Sequence, residues 1–417
     1  MAINITKRHA FIVTMISLVF LVQNIRAQRQ SFFVAPHDTD PAITTNLSGH
    51  YVSIDRSVPP KNQLFVFFPG THGIAANYEV LNNVVAEMGF HAINLTYPND
   101  EAVNSLCGGQ NTDLDCYANV RLEILDGTDR TPLVSVNRAN SAENRIIKLL
   151  IYLRTQYPND NWGQFLIDDS TINWSKIIVS GHSQGGGHAG ILGRYHPVVR
   201  VVMFAAMDYN GPARSPANWI AHPEMTPNAS SADKFWGFSH MRDEAVNFTL
   251  LTTRIYPAYG MPQYGDVVNV DGISPPYGNT HSLTSNLDGC PSFHGCIAVD
   301  SGLVYENGVP VYKPVWEYLL SNTVSPLSLS AIQFLRATQP VGRPPVGIST
   351  KYYRIQVVGN GFDSGSRVLV NGVETETNFI SSSELQASLP AGRVGRVGGS
   401  TIQVRGQTGA VSNNLTF

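Results

Sequence analysis

Between residues 60 and 320, short apolar runs alternate with amphipathic helical patterns, and this alternation limits the fold more than any other feature. "LFVFF" (64–68) has no polar face, as expected of a strand buried on both sides in a parallel sheet. After "PGTHG", Tyr78, Leu81, Val85 and Met88 recur at helical spacing and Gly89 stops the helix. "HAINL" (91–95) reads as the next strand, followed by a long irregular insertion. Asn140 and Glu143 resemble a capping box, and Ile146, Leu149, Leu153 and Tyr157 continue that helix. "KIIVS" (176–180), a glycine-rich turn and a helix ended by Pro197 come next, then "VVRVVMFAA" (198–206) and "FWGF" (235–238). A helix near 244–256, "DVVNV" (266–270) and a final helix around "VWEYLL" (315–320) complete the series. Strands alternating with helices imply an α/β fold, a mostly parallel sheet covered by helices.

The first residues read as an address. Lys7 and Arg8 precede the apolar run 11–22, and "QNIRA" follows, ending in a small residue. The run is short for a bilayer span and fits a signal peptide over 1–27, cleaved after Ala27. The expected destination is the periplasm, cell surface or medium, with no membrane span in the mature chain. Export favours disulfides, and the four cysteines fall into two close pairs, Cys107 with Cys116 and Cys290 with Cys296. Neither pair has C-x-x-C spacing, so a zinc site is not expected. The formal net charge is -3 and Lys and Arg form no run, which argues against nucleic acid as a partner.

The texture changes near residue 340. "ATQPVGRPPVG" is Pro/Gly-rich, a linker composition. Beyond it "RVLV" and "VETE" flank Asn371-Gly372, a hairpin signal, and "ELQASL" and "TIQVR" are further strand candidates. The expected division is 28–338 for the α/β domain and 339–417 for a small all-β domain.

The chemistry gathers at "KIIVSGHSQGGGHAG" (176–190), where Gly181-His182-Ser183-Gln184-Gly185 is G-x-S-x-G between a β-branched strand and a helix. Glycines permit the sharp strand-to-helix turn that projects a serine Oγ, and the helix start offers N–H groups to an oxyanion. In this motif and the strand–helix order of 60–320 the chain resembles the α/β-hydrolase superfamily. The resemblance implies a catalytic serine, then an acid, then a histidine along the chain, with Ser183 as nucleophile. It also implies an oxyanion hole partly in "PGTHG", with the N–H of Thr71 or His72 joined by that of Gln184. The acid is sought after "FWGF": Asp243 is favoured, Glu244 is close by, and Asp208 is the alternative one strand earlier. The histidine is sought after the last strand: His294, between Cys290 and Cys296 and ahead of the final helix, is favoured, and His281 is the alternative. His182 is expected to line the pocket or support the site, and His188 to be structural. No metal and no cofactor is expected.

The segment from "YRIQVVGNGF" through "VLVNG" and "SSSELQASLP" to "SNNLTF" resembles IPT/TIG immunoglobulin-like domains. That resemblance implies a spacer or binding role, with carbohydrate or a cell surface as candidate contacts. Together the two resemblances imply an exported serine hydrolase of carboxylic esters, polymer-linked esters included. The alternatives are a non-catalytic adhesion or binding protein on a hydrolase scaffold, and another acyl-transfer enzyme such as a peptidase or acyltransferase.

Overall fold

The computed structural model describes residues 29–226, 230–321, 328–335, 352–362, 365–381, 383–390, 399–406 and 411–416. The signal peptide expected over 1–27 lies outside them. Two separate apolar cores are present, one drawn from residues up to Leu320 and the other from Leu329 onward.

The larger core surrounds a nine-stranded sheet. Its strands are β1 (Gln30–Val34), β2 (His50–Ile54), β3 (Leu64–Phe68), β4 (His91–Asn94), β5 (Ile177–His182), β6 (Arg200–Phe204), β7 (Phe235–His240), β8 (Val268–Asn269) and β9 (Ser282–Ser285). The order across the sheet is β1-β2-β4-β3-β5-β6-β7-β9-β8. From β4 to β8 every pairing is parallel, and β1 and β2 add an antiparallel edge. All five residues of β3 and all six of β5 are buried, because helices cover both faces. Those helices include α1 (Glu79–Glu87), α4 (Ala142–Gln156), α5 (Gln184–Tyr195) and α6 (Lys313–Leu320). The α/β expectation therefore holds, with two extra strands ahead of residue 60.

Three local differences have physical causes. The insertion after β4 is not irregular throughout: it forms α2 (Val103–Cys107) and α3 (Cys116–Asp126). Arg121 and Glu123 on α3 are buried, which breaks the polar/apolar alternation a helix normally shows. The cap of α4 is Ser141, whose Oγ accepts the Asn144 N–H, while Asn140 Oδ1 accepts the Thr44 and Thr45 N–H groups. The strand preceding His294 is "SLTS", not "DVVNV". Its buried hydroxyls are satisfied, with Thr284 Oγ1 on Ser239 O at 2.8 Å and Ser285 Oγ against Tyr312 OH at 2.8 Å.

The smaller core lies between two antiparallel sheets, an immunoglobulin-like arrangement. One contains β10 (Ser328–Leu335), β11 (Tyr352–Asn360), β14 (Glu376–Ser381) and β15 (Glu384–Pro390). The other contains β12 (Arg367–Val370), β13 (Val373–Glu374), β16 (Thr401–Arg405) and β17 (Leu415–Thr416). Asn371 and Gly372 both have positive φ, 50° and 78°, as the Asn-Gly hairpin signal requires. The linker expected at 337–347 lies outside the described residues. The strand ahead of it, β10, pairs with β11 and belongs to the small sandwich.

Candidate active site

Because the strands are parallel, the loops after β3, β5, β7 and β9 open at one edge. The order reverses between β3 and β5, and such crevices are where open α/β sheets bind ligands. Ser183 occupies the turn between β5 and α5 with φ 54° and ψ −119°. For a residue with a side chain this backbone is strained, and strain of that kind persists only where surroundings enforce it. Here the Ser183 N–H is tied to Phe204 O at 2.8 Å. A Cβ on Gly185 would overlap the Phe68 carbonyl, and one on Gly181 would overlap the Gly185 carbonyl. The two glycines of the motif are therefore required by close backbone approach.

Asp243 follows β7 and His294 follows β9. His294 Nδ1 lies 2.9 Å from both Asp243 oxygens, and the Asp243 side chain is wholly buried. A carboxylate can only accept, so Nδ1 carries the proton and Nε2 keeps a free lone pair. Asp243 Oδ1 also accepts the Ala245 and Val246 N–H groups at 2.8 and 2.7 Å, which fixes the carboxylate. Glu244 holds the histidine loop, with its carboxylate bonded to Ser292 Oγ and to the His294 N–H at 3.0 Å. Cys290 and Cys296 are disulfide-bonded around this loop, and Cys107 and Cys116 join α2 to α3, as both spacings predict.

His182 joins the two halves of the site. Its ring packs against His294 at 4.5 Å between centroids, and Nε2 lies 2.8 Å from His294 O. That carbonyl accepts, so Nε2–H donates and Nδ1 takes the Tyr78 hydroxyl proton at 3.1 Å. Tyr78 in turn accepts the Gly70 N–H at 3.1 Å. Burial, with the nearby His294, brings His182 down to about 3, and burial pushes Tyr78 up to about 12, so both stay neutral.

The loop after β3 is held by Asn99, whose Nδ2 bonds Gly70 O and Gly73 O at 2.7 and 2.8 Å. The His72 N–H is spent on Asn99 O at 3.1 Å, so it is not a free donor. The Thr71 N–H donates to no backbone carbonyl among the described residues. Gln184 opens α5, where the first N–H groups lack intrahelical acceptors.

The alternatives sit elsewhere. Asp208 makes a buried bidentate pair with Arg121, Nε–Oδ2 and Nη2–Oδ1 both 2.6 Å, while Arg121 Nη1 supports Gln184 O at 2.8 Å. His281 precedes β9, at the opposite edge of the sheet from Ser183. It is stacked between Trp236 and Tyr264 at 3.6 and 4.3 Å. His188 is buried against Phe68 and Tyr97. Sequence reasoning missed Arg121, Tyr78 and Asn99, which no local motif marks. His240, Cys290 and Cys296 bring donor atoms within 4.8 Å of one another. The sulfurs are bonded to each other, and His240 bonds Leu287 O and the Arg242 N–H, so the group offers no open ligand set.

Residues 343–417 match the IPT/TIG domain family. Among solved structures, one described as a dienelactone hydrolase from Klebsiella pneumoniae is similar with a TM-score of 0.37 at 10% identity, covering 70% of this chain and 97% of that one. No curated protein matches the chain in sequence. Among the described residues no helix is long and apolar enough to cross a membrane.

Proposed function

We propose that the protein is an exported serine hydrolase that cleaves carboxylic esters through an acyl-enzyme. The observation that carries this reading is the strained Ser183 turn at the sheet edge that also holds the Asp243–His294 pair. In this reading His294 Nε2 takes the Ser183 proton as Oγ attacks the carbonyl. Asp243 keeps the imidazole in the Nδ1–H tautomer and stabilises the imidazolium that forms. The N–H groups of Thr71 and Gln184 meet the oxyanion at the start of α5, where the helix dipole favours negative charge. His294 then gives the proton to the leaving alcohol, and water repeats the sequence on the acyl group. No step needs a metal or cofactor. The small sandwich is proposed as a surface- or carbohydrate-contacting module.

A fluorophosphonate probe tests this directly. Wild-type protein should be labelled on Ser183 and lose ester turnover in proportion, while a folded Ser183→Ala variant should resist labelling. Lack of labelling in folded wild-type protein, or labelling at another residue, overturns the reading.

A further inference from the structure

Two cavities share the wall formed by Met207, Ala245 and Val246, the inner one opening on Ser183, and their unequal sizes bear on the substrate. The inner one has a volume of about 40 Å³ and is walled by Ala102, Val103, Ala205, Met207, Ala245 and Val246, with Ser183, Thr71, Gln184, Asn104 and Arg121, the last held by Asp208, as its polar lining. The outer one, about 270 Å³, shares Met207, Ala245 and Val246 with it and adds Tyr209, Arg214, Asp243, Glu244 and Asn247. For scale, a dry cavity of about 150 Å³ in another protein accepts benzene. The inner space therefore suits a group of two or three heavy atoms.

Its walls are poorly able to yield. Val103, Met207 and Val246 are buried. The Val103 N–H bonds Gln184 Oε1 at 3.1 Å, and that oxygen also accepts Thr71 Oγ1 at 2.7 Å. The Cys107–Cys116 disulfide ties α2 to α3, so Val103 cannot swing away freely. On the other wall, the Ala245 and Val246 N–H groups are the ones that bond Asp243. Widening the cavity would loosen the carboxylate that holds His294, or the Gln184 side chain beside Ser183. Gln184 Nε2 is buried with no partner, which leaves its N–H donors available to an acceptor on a bound molecule.

Resting on the serine-hydrolase reading, we propose that the substrate is an acetyl ester of a hydroxyl-rich alcohol. The acetyl group occupies the inner cavity. The alcohol lies in the outer one, on the Asp243 side, where His294 can protonate the departing oxygen. Tyr209, Arg214 and Asn247 supply polar groups for its hydroxyls. The acetyl carbon bonds to Ser183 Oγ as its bond to the alcohol oxygen breaks. The serine proton passes through His294 to that oxygen. Water then releases acetate and restores the serine.

The test uses the full chain and p-nitrophenyl esters of two, four and eight acyl carbons, so that only the acyl group changes. A hydrophobic wall discriminates by about 10–200-fold per methylene, so kcat/KM should fall by at least about a hundredfold from acetate to butyrate. Val103→Ala and Val246→Ala should each raise the butyrate-to-acetate ratio by about tenfold or more. In the second arm, an acetylated methyl glucoside should be turned over faster than hexyl acetate, and Arg214→Ala should lower the glucoside-to-hexyl ratio. Equal kcat/KM for acetate and butyrate in the wild type, or ratios unmoved in both wall variants, overturns the acetyl limit while leaving the hydrolase reading in place. Preference for hexyl acetate overturns the hydroxyl-rich alcohol. No turnover of any ester together with no fluorophosphonate labelling overturns the parent reading instead.

Discussion

At the scale of single residues, two carboxylates in this chain look alike in sequence and differ in their surroundings. Asp208 is matched by a guanidinium on both oxygens and touches no histidine, whereas Asp243 faces His294 Nδ1. Their amide variants should therefore fail in different ways. Asp243→Asn keeps the shape but offers an N–H where an acceptor is needed, so the imidazole takes the wrong tautomer. A loss of roughly 10⁴ in kcat is expected, with little loss of stability. Asp208→Asn leaves Arg121 buried and uncompensated, and removing one partner of such a pair costs about 3–5 kcal/mol of stability. The histidines divide in the same way. His294→Ala should match Ser183→Ala in kcat, while His281→Ala should lower the melting temperature through lost stacking between Trp236 and Tyr264. Denaturant unfolding and steady-state kinetics on the five variants separate the effects. An Asp208→Asn variant of wild-type stability with kcat reduced ten-thousandfold would move the acid's role one strand upstream.

At the scale of elements, the sequence is legible where pattern and burial agree. The all-apolar runs of β3 and β5 and the periodic faces of α1 and α4 are visible because their outward chemistry matches their position. The strand β9 is not, since a buried Ser-Leu-Thr-Ser depends on hydroxyl partners supplied by distant residues. That gap is why both His281 and His294 follow the last strand visible in sequence. Only the position of β9 separates them, one at each end. Ser183 is legible because its glycines answer a local steric need. The Tyr78–His182–His294 chain is not, since its members are brought together from three distant elements. The least legible element is β10, which precedes the Pro/Gly stretch yet pairs with β11 beyond it. A consequence can be measured. A chain ended after Ser321 keeps the whole larger core and the bonds from Arg200 to Leu319 O and Ser321 O. A chain ended after Gln339 retains β10 without its partner, an unpaired strand carrying Leu329, Ile332 and Phe334, and such strands drive association. Both should hydrolyse small soluble esters alike per folded molecule, but the longer should elute as larger species on size exclusion. Equal, monomeric elution of the two would show that an unpaired β10 does not drive association.

At the scale of the whole molecule, six histidines among the described residues (His50, His91, His182, His188, His240 and His281) are buried, burial lowers the pKa of each, and this sets how the protein should respond to acid. Burial lowers His50, with the Arg145 charge adding to it, and likewise lowers His281; both fall to about 3. His182 is brought equally low, and burial with the Arg121 charge takes His188 well below its ordinary range. His188 has no hydrogen-bond partner on either nitrogen, so nothing offsets its desolvation. In the unfolded chain each histidine binds a proton near its ordinary value of about 6.5. Between about 3 and 6.5 the unfolded state therefore holds more protons than the folded state, and stability rises with pH. The stabilisation is complete above about 6.5 and is lost as pH falls through that window. Asp300 works the other way. Burial raises it to about 6, outweighing its bonds from the Glu79 and Val80 N–H groups. The folded state then keeps a proton that the unfolded one gives up above its ordinary value of 3.8, which subtracts one group from the slope between 3.8 and 6. One proton of difference is worth about 1.4 kcal/mol per pH unit. Six histidines against one carboxyl should leave unfolding free energy falling steeply from pH 6.5 to 5. His281 lies away from Ser183, so His281→Gln isolates one contribution. Urea unfolding across this range should give a variant less stable than wild type at pH 7 but with a slope shallower by about 1.4 kcal/mol per unit. Parallel curves for variant and wild type would mean that His281 is protonated equally in both states, and that acid acts on the fold through other groups.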